Sequence, residues 1–122
     1  MRESLTKQER LKSKRDISRV FAEPKKVSCF GAKLFYRENG LDRNRFMVSL
    51  VRKYGTAVRR NRAKRVTREA YRLMKRELVQ GYDLVVVLFP QTDTFDRRSE
   101  QLRDLFSRAE MFTQTTSLDS GA

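Results

Sequence analysis

Leu84-Val-Val-Val-Leu-Phe89 is the longest apolar run in the chain, and it constrains the fold more than any other segment. Three adjacent valines favour extended backbone, and apolar side chains on both parities read as a strand covered on both faces. A fold built on this strand needs packing layers above and below it. Gly81 supplies a stop for whatever precedes the run and Pro90 closes it. With 122 residues there is room for one compact domain and no second one.

The flanking periodicities supply the layers. Ser13 to Asp16 has the form of a capping box, and the spacing of Ile17, Val20 and Phe21 predicts a helix over 14–22, ended by Glu23-Pro24. Val27 to Tyr36 reads as one strand, with Ala32, Leu34 and Tyr36 on one face and Lys33 and Phe35 on the other. Glu38-Asn39-Gly40-Leu41 carries turn chemistry, which predicts an antiparallel hairpin with a second strand around Phe46, Val48 and Leu50. Thr56 is the expected cap of a helix running to about Val79, with Ala63, Val66, Ala70, Leu73 and Met74 as its packing arc. A last helix, capped by Thr94 or Asp96, repeats Leu102, Leu105, Phe106 and Ala109 at three- and four-residue spacing. The expectation is an α+β fold in the order α-β-β-α-β-α: one domain over residues 1–112 and a polar, disordered tail over 113–122.

Charge narrows the function. The chain has 28 Lys and Arg against 15 Asp and Glu, a net charge of +13, which calls for a polyanionic partner. A bilayer is an unsuitable one, since no apolar run approaches the roughly 20 residues that span it. The amino terminus is charged from Arg2 and lacks the apolar core of a secretory signal, so a cytoplasmic location is expected. Cys29 is the sole cysteine and histidine is absent, which leaves too few ligands for a Cys/His zinc site.

The densest basic segment runs from Lys53 to Arg72. Arg59, Arg60 and Arg62 crowd a helix N-terminus whose dipole is already positive, an arrangement that costs a fraction of a kcal/mol per charge. A bound phosphate backbone reverses that cost, because helix N-terminal amides and Arg forks both hold phosphate. Solvated helix faces usually mix charges at i,i+4 spacing. Here Glu69 is the lone acid between Lys53 and Arg76. Lys64, Arg68, Arg72 and Lys75 lie opposite the packing arc, so the basic side is expected to bind nucleic acid.

Within this segment, Ala57-Val58-x-Arg60-Asn61-Arg62-x-Lys64-Arg65-x-x-Arg68-Glu69-Ala70, with Lys53-x-Gly55 upstream, resembles the RNR motif of the bacterial ribonuclease P protein family. The resemblance extends from Arg10-Leu11 through the last helix. It implies a compact α/β sandwich with a left-handed βαβ crossover. It also implies that the protein carries no catalytic residue: the partner catalytic RNA binds Mg²⁺ and hydrolyses precursor tRNA, and the protein holds that RNA and the 5′ leader. Carried over, Arg60, Asn61, Arg62, Lys64, Arg65 and Arg68 belong to the RNA-binding surface with Lys53 beside them, and Arg52, Arg59 and Arg72 join it by charge. Ile17, Phe21, Leu34 and Tyr36 would line the leader cleft between the first helix and the sheet. Ile17 stands where an aromatic is frequent in the family.

Three other readings compete. A self-sufficient nuclease needs a general base or a metal-holding acid cluster, and the nearest pair is Asp93 and Asp96 beside a helix cap. A ribosomal or other structural RNA-binding protein would share the charge but not the ordered RNR array with an apolar cleft. A helix-turn-helix DNA-binding protein needs a second helix just before the basic one.

Overall fold

The computed structural model of the chain describes residues 5–22 and 25–113. Its described strands are β1 (Lys26–Cys29), β2 (Ala32–Glu38), β3 (Arg45–Leu50) and β4 (Tyr82–Leu88), joined in one sheet of order β1-β2-β4-β3. Three helices accompany them: α1 (Lys14–Ala22), α2 (Ala57–Met74) and α3 (Phe95–Arg108). β4, the valine strand, is covered on both faces as expected and lies inside the sheet, antiparallel to β2 and parallel to β3. Leu84, Val86 and Leu88 point to one core with α2 and α3, while Val85 and Val87 point to a second with α1.

Two strand expectations are corrected. The 27–36 stretch is two strands, turned at Phe30-Gly31, where Gly31 has φ +89° and an added Cβ would lie 2.5 Å from the Gln91 side chain. A side chain is therefore excluded both by conformation and by space. Secondly, β2 and β3 do not pair as a hairpin, because β4 lies between them. The Asn39-Gly40 turn instead carries the chain past the end of β4, with the Asn39 amide donating to the Gly81 carbonyl at 2.8 Å. A strand buried on both faces gains ladder partners on both edges, which outweighs the local hairpin signal. Asn44 fixes this crossing: it donates to the Val79 carbonyl at 2.7 Å and accepts from the Tyr82 amide at 2.8 Å.

α2 joins the parallel pair β3 and β4 and packs beside α3 on the same sheet face. It ends at Met74, and a 3₁₀ turn over Lys75–Glu77 leads towards Val79. Its buried stripe is Ala63, Thr67, Ala70, Tyr71 and Met74, rotated from the expected arc, and Leu73 is exposed. The rotation follows from Tyr71, whose ring stacks on Phe46 with centroids 3.8 Å apart and planes at 2°. Turning the stripe this way buries both rings, which carry more apolar surface than the Leu73 side chain left outside. Thr56 and Thr94 cap α2 and α3, each hydroxyl accepting from an amide three residues on at 3.2 Å. The end of the first helix at Glu23-Pro24 and the tail from 114 lie outside the described residues.

Candidate nucleic-acid interface

The α2 cations divide by what they touch. Asn61, Arg65 and Arg68 are exposed on the side of the helix opposite the core, Lys64 is half-buried beside them, and Arg52 and Lys53 are exposed in the loop before Thr56. Among the described residues none of the five cations in this group has a carboxylate partner within 4.0 Å. Arg72 is different, since its fork closes on Glu69. Lys75 is also held, by Glu9 at 2.9 Å, which ties the N-terminal strap to the end of α2. Burial works to raise the Glu9 carboxyl, but the Thr6 amide and the Lys75 ammonium outweigh it and hold it below its ordinary value.

Three arginines of the motif are braced by the protein. Arg60 donates to the carbonyls of Val51 and Arg52, both at 3.3 Å, fixing the loop that carries Lys53. Arg62 donates through Nε to the Asp93 carbonyl at 3.1 Å. The Arg59 guanidinium lies over the Tyr54 ring at 5.8 Å. Beneath them Tyr54 donates to Asp93 Oδ1 at 2.7 Å, and burial together with that bond raises the Tyr54 hydroxyl's pKa. Arg98 reaches the same carboxylate through Nε at 3.0 Å and gives a terminal nitrogen to the Tyr54 hydroxyl at 2.6 Å.

The expected leader cleft needs correction. Successive side chains of a strand point to opposite faces, so Leu34 and Phe35 cannot both face α1. Leu34 is fully buried in the core with α2 and α3, and Tyr36 packs on that side beside Tyr82, with ring centroids 6.2 Å apart. The α1 side of the sheet carries Phe35, Met47 and Val87, which pack with Ile17 around Leu11, Val20 and Val85. Phe21 borders this face at 45% exposure. Lysines overlie its rings, Lys26 above Phe35 at 6.0 Å and Lys33 above Phe89 at 5.6 Å. Sequence reading missed Phe35 and Phe89, although the alternation that places Phe35 was visible.

Ion pairs anchor α1 to the sheet beside this face. Asp16 on α1 pairs with Arg45 at 3.2 Å, and Arg45 forks onto Asp83 at 2.8 Å through both Nε and a terminal nitrogen. Helix and sheet are thereby tied at one end of the cleft. A cavity of about 230 Å³ lies at the outer edge of β3, rimmed by Arg10, Lys12 and Arg68 over Phe46 and Met47. Among the described residues no three His, Cys, Asp or Glu side chains are grouped to hold a metal ion, and no helix is long and apolar enough to cross a membrane.

Comparison with known proteins identifies the family. The ribonuclease P family model matches residues 5–110. The ribonuclease P protein component of Thermotoga maritima is 40% identical over 87 residues, covering 71% of this chain and 74% of that protein. The corresponding protein of Thermotoga petrophila is 36% identical over 117 residues, covering 90% of this chain and 99% of that one. The solved ribonuclease P protein from Thermotoga maritima superposes with a TM-score of 0.71 at 33% identity, covering 82% of this chain and 96% of its own. On sequence and fold together, the chain belongs to the ribonuclease P protein component family.

Proposed function

We propose that this chain is the protein subunit of a bacterial ribonuclease P, in which it places RNA for endonucleolytic 5′ maturation of tRNA. The observation that carries the reading is the one-sided array of Arg52, Lys53, Lys64, Arg65 and Arg68, cations without carboxylate partners among the described residues. An unpaired array of this kind is suited to phosphates at fixed spacing, which set position without reading sequence. The catalytic RNA is the partner assigned to it. Arg59, Arg60, Asn61 and Arg62 extend the array around the start of α2.

The α1 face is the proposed seat of the 5′ leader of precursor tRNA. Phe21 and Phe35 offer flat rings, Ile17 and Met47 offer apolar contact, and Lys26 and Lys33 offer charge to the backbone. Stacking works on any base, so a cleft of this kind tolerates leaders of many sequences. Mg²⁺ carried by the RNA supplies charge stabilisation for phosphodiester hydrolysis. The chain's own residues bind and orient. Titrating the full chain into a bacterial ribonuclease P RNA over a salt series tests the assignment: binding that weakens steeply with salt supports it, and no binding at low salt sinks it.

A further inference from the structure

Arg98 is 1% exposed, and its guanidinium is spent on internal hydrogen bonds. Besides Asp93 and Tyr54, it donates to Gln101 Oε1 at 2.6 Å and to the carbonyls of Gly31 at 3.2 Å and Phe89 at 3.0 Å. Gln101 in turn donates to the Phe30 carbonyl at 2.9 Å. One buried cation therefore gathers the β1–β2 turn, the end of β4, the start of α3 and the loop before α2.

Stability alone is a weak reason for such a group, because buried ion pairs can often be replaced by apolar side chains without loss. What the arrangement fixes is geometry. The Asp93 side chain is held by Arg98 and Tyr54, while its main-chain carbonyl accepts from Arg62 Nε. With Nε engaged, the two terminal nitrogens of Arg62 have no protein partner among the described residues. They form a fork of set direction, the shape that suits a phosphate.

We infer that Arg98, acting with Tyr54 and Asp93, is a positioning residue that orients Arg62 for an RNA phosphate. The inference rests on the RNA-binding reading above and adds a buried determinant to it. Arg62 is the contact; Arg98 touches no RNA.

Tyr54→Phe tests this gently, since it keeps the ring beneath Arg59 and the direct Arg98–Asp93 pair, and removes only the hydroxyl that donates to Asp93 and accepts from Arg98. Affinity of the full chain for a bacterial ribonuclease P RNA is measured with this variant, with Arg62→Ala, and with both together. Tyr54→Phe should weaken binding roughly 3- to 10-fold, as expected when a charged contact is misplaced rather than deleted. In the Arg62→Ala background that loss should disappear, whereas in the Arg65→Ala background it should persist in full. Leu102→Val, a core change in α3, should lower the melting temperature and leave affinity unchanged. A Tyr54→Phe loss that is absent, or that is the same with and without Arg62, overturns the inference. Wild-type chain that binds no such RNA overturns the RNA-binding reading itself.

Discussion

The ring of Phe21 on α1 lies against that of Phe35 on β2, with centroids 4.9 Å apart and planes at 56°. Phe21 remains 45% exposed and Phe35 is half-buried, so the pair forms an aromatic edge on the α1 face rather than a closed core contact. Phe21→Ala and Phe35→Ala should each weaken binding of precursor tRNA by about 1–3 kcal/mol, the worth of one stacked base. Mature tRNA, which has no leader, should bind with unchanged affinity. Tyr36→Ala should not discriminate between the two RNAs, because Tyr36 belongs to the opposite side of the sheet. Equal losses for precursor and mature tRNA in the Phe35 variant would remove the leader from this face.

The exposed α2 stripe predicts a graded salt response. Arg65→Ala and Arg68→Ala should each reduce the slope of log K against log[salt] by about 0.7–0.9, one phosphate contact apiece. Lys75→Ala should leave the slope as it was, since Glu9 already holds that ammonium. Slopes unchanged in both arginine variants would move RNA binding off this stripe.

Much of this was legible in advance. The Leu84–Phe89 run specified a strand covered on both faces, Thr56 specified a cap, Thr94 was one of two candidate caps with Asp96, and the Lys53–Arg72 segment specified a dense run of cations. Each is a local signal, carried by neighbours in sequence. Strand order was not local: the Asn39-Gly40 turn has the same chemistry whether the chain returns beside β2 or passes beyond β4. The leader cleft failed for a related reason, since alternation separates Leu34 from Phe35 but does not say which face receives α1. Nor does charge pattern distinguish Arg65, without a protein partner among the described residues, from Arg62, which is held by a carbonyl distant in sequence.

Thr67 offers a stability test. It is fully buried on α2, and its hydroxyl has no hydrogen-bond partner among the described residues. An isosteric apolar side chain avoids the desolvation cost of an unsatisfied group, so Thr67→Val should stabilise the chain by about 1 kcal/mol. Urea unfolding measures it; a lower midpoint with unchanged slope would contradict the assignment of an unsatisfied hydroxyl.

Glu9 predicts an acid-sensitive strap. Its folded-state pKa is lowered, so its contribution is present above the ordinary glutamate pKa and is lost as pH falls through the lower, folded value. A partly exposed pair of this kind contributes about 1 kcal/mol or less. Wild type should therefore exceed Glu9→Gln in stability at neutral pH by that amount, and the two should converge in strong acid. A gap that persists undiminished at low pH would show that the carboxylate charge, held by the Thr6 amide and the Lys75 ammonium, is not the reason Glu9 matters.

The central claim is that the chain places RNA while RNA performs the cleavage. The most direct measurement is cleavage of precursor tRNA by a bacterial ribonuclease P RNA across a Mg²⁺ series, with and without the full chain. Addition of the chain should shift half-maximal cleavage to lower Mg²⁺, because Arg52, Lys53, Lys64, Arg65 and Arg68 take over part of the phosphate neutralisation that the metal otherwise provides. An identical Mg²⁺ dependence with and without the chain would contradict the account.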